Sequence, residues 1–274
     1  MDSDSTEDFA AAVEAARNAE VAVIVVGESA GMSGENNSRV SLDLPGVQLE
    51  LLKAIQTTGT PVVLLLVSGR PLSVPWAAEQ IHAIMEVWQL GTEAGHAIAD
   101  VLFGDYNPSG KLTVTFPRTV GQVPIFYTAK RTGRPHMKRY VDCDVTPLYP
   151  FGYGMSYTTF EYSEMRISSS KMSVEGCVSI SVRIANVGNR SGEEIVQLYI
   201  GDKAASITRP EKELKAFNKL FLEPGESKEV SFTISAAQLG FVNKQLQFAV
   251  EPGLFNVWIG PNSAEGLEAK LEVL

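Results

Sequence analysis

Within six positions, Gly34-Glu35-Asn36-Asn37-Ser38-Arg39 brings together a carboxylate, two amides and a guanidinium. A carboxyl group in such company can give and take a proton while its neighbours bind hydroxyl groups. The segment lies in a long polar stretch downstream of the apolar run Val21-Ala22-Val23-Ile24-Val25-Val26. That run, rich in β-branched residues, reads as a buried parallel strand. Ligands of open α/β sheets gather just past the carboxyl ends of such strands, so Glu35 is placed like a catalytic acid. Glu28 competes for the role, because it lies nearer the strand end. It is ranked second, as a residue supporting the site. Arg39 can pair with a loop carboxylate or reach a polar ligand, and a solvated surface arginine is the competing reading. Asn36 and Asn37 can bond hydroxyl groups, although paired asparagines are also ordinary turn material.

A different chemistry is written over the same loop. Gly27-Glu28-Ser29-Ala30-Gly31 matches the G-x-S-x-G elbow of serine esterases and follows a strand, as that motif requires. The partners of such a serine would be an acid and a histidine downstream, for which His96 and His136 are in the right order. Against it, Met32-Ser33-Gly34-Glu35-Asn36-Asn37 makes a poor start for the helix that an elbow turns into. The three histidines, His82, His96 and His136, have no metal-ligand spacing to one another, and no phosphate-binding glycine motif occurs. No metal and no cofactor is expected.

Composition narrows the partners. The 274 residues carry a net charge of −9, which offers no basic footprint for nucleic acid or an anionic membrane. No apolar run reaches the roughly 20 residues that span a bilayer. The amino terminus, Met1 to Asp8, is acidic and polar and does not have the form of a signal peptide, so a soluble chain of open cellular address is expected. The two cysteines, Cys143 and Cys177, fall in different segments and suggest free thiols.

The elements that must position these residues change character along the chain. Thr6 can cap a helix over residues 8–18 with Phe9, Val13 and Ala16 on one face, ahead of the strand at 21–26. Pro45 is expected to open a second helix carrying Val47, Leu51, Leu52 and Ile55 and ending near Gly59. Strands are expected at 61–67 and 81–88, and a helix at 91–103. Strands spaced by helices of this length indicate a layered α/β sandwich with a mostly parallel sheet. From 117 to 159 the regularity fails amid Pro117, Pro124, Pro135, Pro147 and Pro150 and glycines at 121, 133, 152 and 154, which is linker chemistry. Beyond Phe160 the period becomes two, as in Val178 to Ile184, Ile195 to Ile200 and Val230 to Ile234, with turn signals at 186–189, 223–226 and 251–253. Roughly seven such short strands make an antiparallel, immunoglobulin-like β-sandwich. The expected division is therefore 1–116, 117–159 and 160–274.

Several stretches together resemble the carboxyl-terminal half of a family 3 glycoside hydrolase of the β-glucosidase type. They are Val25-Val26-Gly27-Glu28 leading to Gly34 through Arg39, Ser68-Gly69-Arg70-Pro71, Trp88 through Gly95, Ala97 through Leu112, and Leu148 through Phe160. The resemblance runs along nearly the whole chain in order. In that family a (β/α)8 barrel precedes an α/β sandwich and a fibronectin type III-like domain, and this chain matches most of the second and all of the third. The resemblance implies that Glu35 is the general acid/base and that the nucleophile is an aspartate of the barrel, in a Ser-Asp-Trp-like motif. Neither barrel nor motif is in these 274 residues, so a barrel domain is the expected partner and a β-glucoside or oligosaccharide the expected substrate. The aromatic-glycine stretch Leu148 to Tyr157 is expected to serve in docking.

The chemistry so implied has defined needs. Retaining glycosidases hold two carboxyl groups about 5–5.5 Å apart, one to attack the anomeric carbon and one to protonate the leaving oxygen. A general acid must keep its proton near neutral pH, which burial or a neighbouring negative charge achieves. A non-catalytic module that binds a saccharide or a protein is the alternative that the missing barrel motivates.

Overall fold

The structure, a computed structural model, describes residues 3–130 and 140–274, so Gly133, Pro135 and His136 of the expected linker lie outside the described residues. The described residues divide into two compact units. One lies within Met1–Leu102, Phe116–Pro124 and Asp142–Leu148, the other within Phe103–Thr115, Ile125–Val141 and Tyr149–Leu274. The proline- and glycine-rich stretch 117–159 thus contributes residues to both.

In the first unit β1 (Ala22–Gly27), β2 (Val62–Val67) and β3 (Ala83–Glu86) form a parallel sheet in the order β1-β2-β3. Alternation sends Ala22, Ile24 and Val26 of β1 and Val62, Leu64 and Leu66 of β2 into one core. Helices α1 (Phe9–Arg17), α2 (Gln48–Gln56) and α3 (Pro75–Gln80) close that core with Val13, Ala16, Leu52, Ile55 and Ala77. Burial of each large aliphatic side chain there contributes about 1.5–3 kcal/mol. A fourth helix, α4, spans Ala94–Phe103.

Several local expectations change. Asp8, not Thr6, is the N-cap of α1 and makes no side-chain capping bond; the Thr6 carbonyl accepts from the Phe9 amide at 3.1 Å instead. Pro45 does not open α2. The Pro45-Gly46-Val47 turn precedes it because Gly46 sits at φ +54°, outside the helical region. Pro75 starts a short helix that the pattern did not announce, since its fixed φ suits a first helical position. The strand expected at 81–88 is trimmed to four residues. β1 is buried on one face only, with Val23 and Val25 about half exposed, at 49% and 52%, on the other. Among the described residues β1 is also an edge strand, and the apolar run is therefore buried on one face only, not on both as its composition suggested.

In the second unit the period-two segments form two sheets. β4 (Phe160–Ile167), β6 (Cys177–Asn186) and β9 (Ser227–Ser235) make one, in the order β4-β6-β9. The other has the order β5-β13-β12-β7-β8, from β5 (Lys171–Met172), β7 (Gly192–Asp202), β8 (Glu213–Leu222), β12 (Gly253–Gly260) and β13 (Leu267–Val273). A small hairpin, β10 (Phe241–Val242) with β11 (Phe248–Ala249), stands apart. Pairing is antiparallel except between β5 and β13. The inward positions of β6, β7, β9 and β12, among them Ile180, Leu198, Ile234 and Val257, interlock as a single core. Within this unit the aromatic-glycine stretch packs on the outer side of β7. Gly152, at φ +81°, has no room for a Cβ, which would stand 2.1 Å from Gln197 Oε1, and its carbonyl accepts from Gln197 Nε2 at 3.1 Å.

Candidate functional site

Each strand of the parallel sheet ends on a polar residue: Glu28 follows β1, Ser68 follows β2 and Glu86 closes β3. Parallel pairing in register sets these ends side by side, so residues distant in sequence meet at one rim. Gly27 turns the chain off β1 with φ +133°, and a Cβ there would lie 1.9 Å from the Val67 carbonyl oxygen. Only glycine fits. Gln48, the first residue of α2, pins that turn: its Oε1 accepts from the Gly27 amide at 2.7 Å and its Nε2 donates to the Gly27 carbonyl at 2.8 Å.

Glu28 is the hub. Its side chain is fully buried, and it accepts from Arg39 Nη1 at 2.9 Å, from Arg70 Nε at 3.2 Å and from the Gly69 amide at 3.2 Å. A buried carboxylate would be costly alone, and two guanidinium groups and an amide satisfy it here. The arginines then reach outward. Arg39 Nη2 donates to the Asp43 carbonyl at 3.0 Å, while Arg70 Nη2 donates to the Met32 carbonyl and, at 3.0 Å, to the Asn37 carbonyl. One guanidinium thus fastens both flanks of the segment that carries Glu35.

Between those flanks the chain makes a turn from Gly34 to Asn37, closed by the Asn37 amide on the Gly34 carbonyl at 3.2 Å. Asn36 takes φ +64° at its third position, which asparagine tolerates. Asn37 Nδ2 bonds the Ser33 carbonyl at 3.2 Å. Glu35, the second residue of the turn, is exposed and makes no hydrogen bond or ion pair among the described residues. Its neighbour Gly34 lines a cleft of about 460 Å³ with Glu28, Ser33, Val67, Trp88 and Ile98, a wall to which Glu35 itself does not contribute.

The β3 end supplies the other wall. Trp88 stands at φ +50°, a strained conformation for a bulky side chain, with its ring 5.8 Å from that of Phe116. Its amide donates to Glu86 Oε1 at 3.0 Å, and Ser68 Oγ approaches the same oxygen at 3.2 Å. The other carboxyl oxygen, Oε2, is buried and without a partner among the described residues. Burial, with a smaller contribution from the negative charge of Glu28, pushes the Glu86 carboxyl up to about 7, against the lowering effect of its two hydrogen bonds.

The structure therefore brings Glu28, Glu35, Asn36 and Arg39 into one loop system, but with distinct duties. Glu28 and Arg39 are tied to each other, and Glu35 and Asn36 are presented outward. Arg70 and Glu86, to which the sequence reading gave no role, are equally part of it. Their signals were an arginine just past a strand and a lone carboxylate inside the apolar run 81–88. The esterase geometry is not built. Ser29 has the extended angles φ −75° and ψ 160°, and a three-residue 3-10 turn follows it instead of an α-helix. His96 is spent on an exposed pair with Glu93 at 2.7 Å, and His136 lies outside the described residues.

Residues 3–157 match the glycosyl hydrolase family 3 C-terminal domain, and residues 194–263 match a fibronectin type III-like domain. The periplasmic beta-glucosidase of Salmonella typhimurium is 49% identical over 271 residues, covering 96% of this chain and 35% of that protein. A beta-xylosidase of Formosa agariphila is 45% identical over 264 residues, covering 96% and 36%. The crystal structure of a beta-glucosidase from Listeria innocua in complex with glucose superposes with a TM-score of 0.92 at 41% identity, covering 98% of this chain and 38% of that one. The chain spans about a third of the length of the curated relatives it matches. With more than half of its residues inside the family's own domain, the chain belongs to glycosyl hydrolase family 3, of which it carries the C-terminal and fibronectin type III-like domains.

Proposed function

We propose that this chain carries the acid/base of a retaining β-glucosidase-type glycoside hydrolase acting on terminal β-linked glucose or a similar sugar. Glu35 protonates the departing glycosidic oxygen and then takes a proton from the water that completes the second step. The nucleophile comes from a (β/α)8 barrel outside these residues. The observation that carries this reading is the clamp of Arg70 on Met32 and Asn37, which holds the turn and leaves the exposed Glu35 carboxyl unengaged, one residue after Gly34 in the cleft wall. Asn36 sits beside it to bond sugar hydroxyls, and Glu28 and Arg39 support the loop. The division at 1–116, 117–159 and 160–274 belongs to the same reading. So does a periplasmic or secreted address, suggested by the Salmonella relative's name. Among the described residues no helix is long and apolar enough to cross a membrane.

The test is Glu35→Gln in the polypeptide that includes the barrel. Loss is expected to be far greater for substrates with poor leaving groups than for activated aryl glycosides, which need little protonation. Equal losses on both would remove Glu35 from the role. A binding-only module is the second reading, favoured by the exposure of Glu35 among the described residues. Turnover of an aryl β-glucoside by the isolated chain at enzyme-like rates would exclude it.

A further inference from the structure

The β3 end holds a carboxyl group whose surroundings the proposed reaction does not use. Glu86 is largely buried, with Oε1 bonded by the Trp88 amide and Oε2 unpartnered among the described residues. Between Glu86 and the loop stands Ser68, itself almost wholly buried. Ser68 Oγ lies 2.8 Å from the Arg70 carbonyl and 3.2 Å from Glu86 Oε1. A hydroxyl has one proton to donate, so it can serve only one of these acceptors fully at a time. While Glu86 is neutral, the shorter contact to the Arg70 carbonyl is the better bond. Once Glu86 is ionised, the charge-assisted bond to its carboxylate is roughly twice as strong and captures the hydroxyl. The Arg70 carbonyl then loses its donor. That carbonyl belongs to the short Ser68-Gly69-Arg70 turn which presents the Gly69 amide and the Arg70 guanidinium to Glu28, and the same guanidinium to Met32 and Asn37.

We propose that Glu86 is a positioning residue for the loop that carries Glu35. Its protonation directs the Ser68 hydroxyl to the Arg70 carbonyl and keeps the Arg70 clamp shut; its ionisation diverts that hydroxyl and loosens the clamp. This rests on the reading of Glu35 as the acid/base only for its consequence in catalysis; the switch itself is a property of this chain. The charged groups concerned are Glu28 at the β1 end, whose negative charge opposes ionisation of Glu86, and Arg70 and Arg39, both of which neutralise Glu28. The value of about 7 places the transition near neutrality.

The experiment is amide hydrogen exchange of this chain, read by NMR at Gly69 and Asn37 between about pH 5.5 and 8.5 and normalised to intrinsic rates. The Glu86 carboxyl is followed in parallel by carbon-13 labelling. In the parent chain, protection at both amides should fall on the order of two- to tenfold, the worth of one net hydrogen bond, along the Glu86 titration. Ser68→Ala should be flat at the loosened level although Glu86 still titrates, and Glu86→Gln should be flat at the protected level. Protection in the parent chain that ignores the Glu86 titration overturns the proposal, as does a Ser68→Ala chain that keeps the parent's response. Should Glu86→Gln fail to fold, the parent and Ser68→Ala decide alone. No readout here depends on turnover, so the kinetic test of Glu35 and this one fail independently.

Discussion

Removing the Glu28 carboxylate should unsettle the whole loop system, and the cost can be worked from its contacts. Glu28→Ala takes one acceptor from Arg39, from Arg70 and from the Gly69 amide at once. Breaking a buried pair by deleting one partner costs about 3–5 kcal/mol, because the remaining charge is stranded. Here the two arginines keep side-chain exposures of 18% and 20%, so water recovers part of the loss. The lower end, about 3 kcal/mol, is expected. Glu28→Gln retains one oxygen and the shape while losing the charge, and should cost roughly half as much, since hydrogen bonds to charged groups contribute about 1.5–3 kcal/mol each. The assay is urea unfolding of the chain, followed by a probe of the parallel-sheet unit because the two units need not unfold together. Glu35→Gln serves as an internal control and should change stability by less than about 0.5 kcal/mol, as exposed substitutions do. A Glu28→Ala chain within about 0.5 kcal/mol of the parent would refute the hub, and with it the argument that Arg70 is held in place to clamp the turn.

Two further outcomes follow from the same rim. Glu86 is protonated more readily when folded than its ordinary value of 4.5 allows, so its contribution is whole below about pH 4.5 and is lost as pH climbs through about 7. Parent stability relative to Glu86→Gln should therefore drop by about 2 kcal/mol between about pH 5.5 and 8; a difference that is constant with pH would show that the carboxyl is not raised. Gly27→Ala should destabilise the sheet end by more than about 2 kcal/mol, because its Cβ would stand 1.9 Å from the Val67 carbonyl at a φ of +133°. Unfolding midpoints equal to the parent's would contradict the close approach of β1 and β2 at that point.

Sequence alone determined the two architectures of this chain. Apolar runs separated by amphipathic stretches are best buried as a helix-covered parallel sheet, even though β1 is covered on one face only, and strict alternation after Phe160 is best buried as a β-sandwich. It also put Glu28, Glu35, Asn36 and Arg39 on one loop at a strand's carboxyl end, because contiguity and strand polarity are local properties. What it did not reveal were contacts whose partners lie on different strands. Arg70, Ser68 and Glu86 enter the site only because parallel register lines up the ends of β1, β2 and β3. Likewise the duties of the two glutamates were decided by burial. The one beside the strand is swallowed and neutralised by two arginines, whereas the one on the turn stays in solvent, and burial is a property of the packed molecule that no single segment carries.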